Sequence, residues 1–310
     1  MTKIPLKKSK TAVRSLLGTG LRETSLDERD YQLGAVYGLI DIKKVPMGNF
    51  NLPRLKTKNQ GSKDFCATYM ATSASEAQEE VELGPDWQFS QVKKMQGEYE
   101  SWGTDLRTAM LSLVKVGSIP REVEAEFLKR QGYLAEDRDF LANWNNWPES
   151  FNKIAEKHKK KTLFEVKGPY DAFDNVRAAL WQHKDKNCKV AMGVMWRYNW
   201  NNAPDGIIPL EAEGDGEGHA ILGVDQVYKN GEIQLAIQNS WGDEMGDKGI
   251  FYANREVFNK HFANFKFFMV KDLPKEVAKY LIQNNLNIKS AWWVKILVSL
   301  RDLFTRYQPK

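Results

Sequence analysis

The chain has 310 residues, of which 42% are hydrophobic and 12% aromatic, enough to bury a core without metal or disulfide staples. A net charge of +5, scattered along the chain, argues against nucleic acid as a partner, and the 2 cysteines exclude a small disulfide framework. The composition also excludes a disordered tail or a fibre.

Lys3, Lys7, Lys8, Lys10 and Arg14 open the chain without the apolar run of a secretory signal, and no stretch reads as a conventional membrane span. With so few cysteines, a cytoplasmic location is favoured. Residues 1–49 read as an extended lead-in, lying across the main domain, with a break at Pro46, Met47 and Gly48. Cys66, Ala67, Met70, Ala71, Ala74 and Ala77 recur at helical spacing, predicting a helix over 66–81 that stops near Gly84 and Pro85. Thr104 as N-cap and Leu106, Ala109, Met110, Leu113 and Val114 predict a second helix running to Gly117. Shorter helices are expected over 121–130 and 151–158, with another along Ala172, Val176, Ala179, Leu180 and His183. The basic run Lys157 to Lys161 reads as a solvated helix end.

After Cys188 the period changes to two. Val190, Met192, Val194 and Trp196 alternate, 219–227 reads as a buried strand, and Lys229-Asn230-Gly231-Glu232 as a hairpin turn into Ile233, Leu235 and Ile237. Residues 249–253 and 265–270 supply two more strands. Helices first and strands afterwards, without a βαβ rhythm, predict an α+β fold of two lobes with a cleft between them. The last segment, 286–307, carries Trp293, Ile296, Leu297, Leu300, Phe304 and Tyr307 on one stripe, an amphipathic helix suited to docking on the protein, on a second copy or on an anionic membrane surface.

Chemistry concentrates in three places. Cys66 stands at a predicted helix start, where unpaired backbone N–H groups and the helix dipole favour a thiolate. His219 heads a strand within Gly218-His219-Ala220, and Asn239 ends another ahead of Ser240, Trp241 and Gly242. A nucleophile, a base and an orienting amide in that chain order form a catalytic constellation. Each residue alone also fits a structural role, and Cys188, heading an apolar strand, is assigned one.

With Gln60 leading to Cys66, His219-Ala220 following and Asn239-Ser240-Trp241-Gly242 closing the set, the chain resembles the papain-like cysteine peptidase family over about 52–271. The resemblance implies a papain-like two-lobe fold: a helical lobe whose central helix starts at Cys66, and an antiparallel β-barrel-like lobe. It implies a peptidase domain at 50–271; residues 1–49, which lack the pattern of the family's usual inhibitory prosegment, are read as an N-terminal lead-in or prosegment, and 272–310 as a C-terminal amphipathic helical extension. It further implies a cysteine-type endopeptidase in which Cys66 attacks, His219 is the base, Asn239 orients the ring and Gln60 helps hold the oxyanion. Trp102, Gly103, Gly218 and Trp241 are the implied substrate-binding residues, the first two in a strip that pairs with substrate backbone, and Trp241 also covers the Asn239–His219 contact. A peptide or protein substrate is expected, with no cofactor and no metal.

Two features depart from the family pattern. Asp64 and Phe65 replace small residues beside the nucleophile, and a carboxylate there raises the thiol pKa unless Lys63 or another cation offsets it. The family's disulfide cysteines are missing. Glu211, Glu213, Asp215 and Glu217 read as a solvated loop that also bears on the histidine charge. Two other readings stay open on this sequence: a catalytically inert papain-like binding module, and a cell-wall peptide hydrolase.

Overall fold

The computed structural model describes residues 19–24, 31–33, 40–79, 81–132 and 137–271. The amphipathic segment 286–307 and the extension containing it lie outside the described residues. Among the described residues no helix is long and apolar enough to cross a membrane.

Nine strands are described: β1 Leu21–Arg22, β2 Tyr31–Gln32, β3 Thr104–Asp105, β4 Thr162–Glu165, β5 Val190–Arg197, β6 Gly216–Lys229, β7 Glu232–Gln238, β8 Ile250–Asn254 and β9 Phe267–Lys271. Seven of them form one sheet in the order β2-β4-β9-β5-β6-β7-β8, mostly antiparallel, while β1 pairs in parallel with β3 in a separate ribbon. The β6–β7 hairpin turns at Asn230 and Gly231, whose φ values of 55° and 84° are those of the turn expected there.

Both faces of the sheet are covered. Along β5 and β6 alternate side chains enter two different cores, Val190, Met192 and Ile221 on one side and Ala191, Ala220 and Leu222 on the other. The face carrying Ala191, Ala220 and Ala236 receives the central helix Cys66–Glu76. Small side chains on the sheet let the helix axis approach closely, and this brings the first helical residue against β6.

The remaining helices depart from expectation in instructive ways. The central helix ends at Glu76 instead of 81, and a helix that was not expected, Pro85–Gln96, begins where a stop was read. Gly84 is its N-cap and Pro85 its first residue, a place where a missing N–H costs nothing. The helix expected from Thr104 starts two residues later, at Leu106, because Asp105 caps it by accepting from the Thr108 N–H at 2.8 Å, while Thr104 joins a strand. Helices Arg121–Gln131, Phe151–Ala155 and Ala172–Gln182 lie where they were expected.

Candidate active site

The site lies where the N-terminus of the central helix meets β6 and the loop after β7. Cys66 is the first residue of its helix, and Phe65 ahead of it offers no side-chain cap, so the first backbone N–H groups of the helix remain for the site. Ala220 directs its backbone N–H at the thiol. Ala220 follows His219 in β6, so the thiol is met, and the imidazole carried, by neighbouring residues of one strand.

His219 is fully buried and its Nε2 lies 2.9 Å from Asn239 Oδ1. That oxygen also accepts the Ser240 backbone N–H at 2.6 Å, which fixes the amide orientation and makes Nε2 the protonated nitrogen. Nδ1 is buried without a hydrogen-bond partner, so its lone pair is open to accept a proton. Trp241 is buried and stacks on the imidazole at 4.2 Å and 16°, and Trp196 meets the same ring edge-on at 5.8 Å. The histidine is thus fixed by one hydrogen bond and two aromatic walls.

Gln60 is brought in by pairing between its own loop and the Asn239 loop. Its backbone N–H donates to the Ser240 carbonyl at 2.8 Å, and Gly242 N–H donates to the Lys58 carbonyl at 2.9 Å. The side-chain oxygen accepts from Ser240 Oγ at 2.5 Å and the amide nitrogen donates to the Lys63 carbonyl at 2.6 Å, so the donor end faces the nucleophile loop. Ser240, quoted from the sequence only as part of a motif, emerges as the residue that orients both amides.

The strip expected to bind substrate differs in detail from that expectation. Trp102 is exposed, with the Arg138 guanidinium 5.9 Å from its ring centroid. Gly103 has φ 65° and donates its N–H to Asp64, while its carbonyl accepts from Lys93 Nζ at 2.6 Å. The cleft-facing donor is therefore Thr104, whose N–H reaches the Gly20 carbonyl at 2.9 Å.

Gly20 directly precedes β1, in a segment of the lead-in that runs between the two walls. It donates to the Gly218 carbonyl at 3.2 Å on one side while accepting from Thr104 on the other. The fit leaves no room for side chains. A Cβ on Gly103 would stand 1.8 Å from the Gly20 carbonyl oxygen, one on Gly218 2.4 Å from that of Leu21, and one on Gly20 2.7 Å from Asp64. With this strap in place Cys66 is fully buried as well.

Burial decides the protonation states. It pushes the Cys66 thiol up to about 12, the Asp64 charge adding to it and the N–H groups of Ala220, Ala67 and Cys66 opposing it. Burial pushes His219 down to about 4, against the pull of Asn239 and Glu217. Both groups are neutral at pH 7 in this closed arrangement, in contrast to the thiolate that the helix start alone favours. The offset expected from Lys63 also falls elsewhere: Lys63 pairs with Asp86 at 2.8 Å, and the cation on Asp64 is Arg138, at 3.2 Å. Cys188 is buried and unbridged, as is Cys66. Among the described residues no cluster of His, Cys, Asp and Glu could hold a metal ion.

Residues 216–293 match the Peptidase C1-like family. No curated protein matches the sequence. The fold is similar to that of xylellain, a cysteine protease from Xylella fastidiosa, at 19% identity and a TM-score of 0.63, over 86% of this chain and 100% of that one. It is also similar to the proform of the ragweed pollen cysteine protease Amb a 11, at 14% identity and 0.56, over 79% and 70%. Bromelain from Ananas comosus, in complex with the E64 inhibitor, aligns at 14% identity and 0.50, over 71% and 94%. The papain-like α+β fold read from the sequence is borne out, and family match and fold together support a cysteine peptidase.

Proposed function

Taking the papain-like fold as premise, we propose that this chain is a cysteine-type endopeptidase in which Cys66, His219 and Asn239 act together and Gln60 contributes to an oxyanion site. The observation that carries the reading is the histidine. A buried imidazole with Nε2 satisfied by Asn239 and Nδ1 left without a partner is arranged to take one proton and return it. The open Nδ1 lies one residue along β6 from Ala220, whose N–H meets the thiol of Cys66, and a ring held for packing alone does not require that neighbourhood.

The steps follow from that arrangement. The Cys66 S–H proton passes to His219 Nδ1 as the sulfur attacks a peptide carbonyl carbon, whose π electrons move onto oxygen. The Gln60 amide and the Cys66 backbone N–H hold that oxyanion, donors worth roughly 3–4 kcal/mol each in acyl transfer. Collapse expels the amine, which takes the proton from His219. Water then attacks the thioester with the imidazole again as base, restoring the thiol and releasing the acid.

In the closed arrangement the strap around Gly20 occupies the place of a substrate, and we assign residues 1–49 the role of an inhibitory prosegment. A proform is also the state in which the ragweed neighbour was solved. The activity is tested by hydrolysis of a fluorogenic peptide, with inhibition by an epoxide thiol reagent and loss of turnover in Cys66→Ala. Undiminished turnover by the alanine variant overturns the reading.

A further inference from the structure

We propose that Asp64 is a positioning residue which, with Arg138 and Lys93, clamps the backbone of residues 99–103 from beneath, so that the Thr104 N–H is presented to a peptide in the cleft. The proposal rests on the peptidase reading above and adds a part to the same site.

Asp64 is fully buried two residues before Cys66, a position that a carboxylate occupies only when its charge is answered. Its Oδ1 meets Arg138 Nε at 3.2 Å and its Oδ2 meets Arg138 Nη2 at 3.2 Å, a forked pair, while Oδ2 also accepts the Gly103 N–H. Arg138 then donates to the Tyr99 carbonyl at 2.9 Å and the Ser101 carbonyl at 2.5 Å. Lys93, buried in the helix Pro85–Gln96, donates to the Ser101 and Gly103 carbonyls at 2.7 and 2.6 Å. Two cations and one carboxylate thus hold three successive alternate carbonyls and one N–H of a single short segment.

The consequence is directional. The Gly103 carbonyl and the Thr104 N–H share one trans peptide unit and point opposite ways, so holding that carbonyl inward on Lys93 turns the Thr104 N–H toward the cleft, while the left-handed φ of 65° lets the Gly103 N–H reach Asp64 as well. Both cysteines are unbridged, so no disulfide fastens this strip to the nucleophile loop. The Asp64 carboxylate makes that connection directly, from the loop carrying Cys66 to the strip. Side-chain rotamers fixed by several charged hydrogen bonds hold a binding strip to within the tolerance that recognition of backbone requires.

The strap reports on the strip without turnover, since the Thr104 N–H is bonded to the Gly20 carbonyl. Amide hydrogen exchange on the full chain is expected to show Thr104 at least about tenfold faster in Asp64→Ala, with Ile221 in β6 unchanged and Asp64→Asn intermediate. Unchanged Thr104 exchange, or equal acceleration at Ile221, overturns the proposal. In a Gly20→Val background that dislodges the strap, Asp64→Ala is expected to raise KM for peptide by a larger factor than it lowers kcat. A loss confined to kcat counts against the clamp. Should the unsubstituted chain and its Gly20→Val form cleave no peptide at all, the peptidase reading falls, and the Thr104 exchange rates still decide the clamp.

Discussion

Gly20 donates its backbone N–H to the carbonyl of Gly218, 3.2 Å away and directly ahead of the base His219. On the proposed peptidase reading, the lead-in therefore uses backbone groups that a peptide substrate would need. Because a Cβ on Gly20 would stand 2.7 Å from Asp64, and the residue has φ 141°, Gly20→Val cannot keep the strap seated. Peptide hydrolysis by the full chain is expected to rise at least about tenfold in this variant, the gain from removing an intramolecular competitor. Equal activity in the two chains would show that the strap does not control access.

The same displacement changes the thiol. With the strap seated, burial holds the Cys66 thiol up at about 12, so the thiolate is scarce at neutral pH and its population grows only as pH approaches that value. Water entering the cleft relieves the desolvation, and the helix start then favours the anion. Iodoacetamide labelling of Cys66 followed by mass spectrometry between pH 6 and 10 checks this. The unsubstituted chain is expected to label slowly with a steep rise at high pH, and Gly20→Val to label faster with its midpoint moved to lower pH. Superimposable profiles would contradict a role for burial.

Asn239→Ala removes the acceptor that sets the His219 tautomer. The ring can then turn or carry its proton on Nδ1, where it no longer serves as a base. In the Gly20→Val background kcat/KM is expected to fall by about 10-fold or more, with Asn239→Asp a partial rescue because it restores an acceptor. Trp241→Phe is expected to keep most activity, since a ring still faces the imidazole, while Trp241→Ala loses stacking worth about 0.5–1.5 kcal/mol beyond its buried area. Retention of full kcat/KM by Asn239→Ala would remove the orienting role.

What could be read in the sequence was what is local. Ala67, Met70, Ala71 and Ala74 announce the central helix through their spacing, and the Asn230-Gly231 hairpin through its turn chemistry. Gly84-Pro85 was read as a stop and is a start, because glycine before proline fits either end of a helix until the following residues are packed. The partners of Asp64 and Lys63 were out of reach for a different reason. The nearest cation in sequence, Lys63, turns to Asp86, and Arg138 reaches Asp64 across 74 positions, a pairing that only the folded chain defines. The strap shows no periodic pattern in the sequence, since its hold combines backbone hydrogen bonds at Gly20 with single side-chain contacts, Leu21 against the core, Thr19 to Glu217 and Arg22 to Glu98. The candidate triad was legible because the chemistry demands particular side chains, while the strip donor Thr104 was not, since any residue supplies an N–H.

Glu124 gives a prediction on stability. It is buried, and its Oε1 accepts the Trp87 N–H at 2.6 Å, capping from a distance the first turn of the helix Pro85–Gln96, whose own cap residue Gly84 has no side chain. Burial and the neighbouring Asp86 raise its pKa from 4.5 to about 7, against Trp87, Arg121 and Lys63. The folded state therefore prefers the protonated acid: its contribution is complete below pH 4.5 and declines as pH rises through about 7. Glu124→Gln keeps an oxygen for Trp87 and cannot ionise. Comparing the two chains by urea unfolding cancels the titrating groups that do not interact with position 124, so the variant is expected to gain stability relative to the parent between pH 5 and 8. Glu124→Ala, which leaves the Trp87 N–H uncapped, is expected to cost about 1–2 kcal/mol at pH 5. A difference between parent and glutamine variant that stays constant with pH would show that Glu124 is ionised throughout.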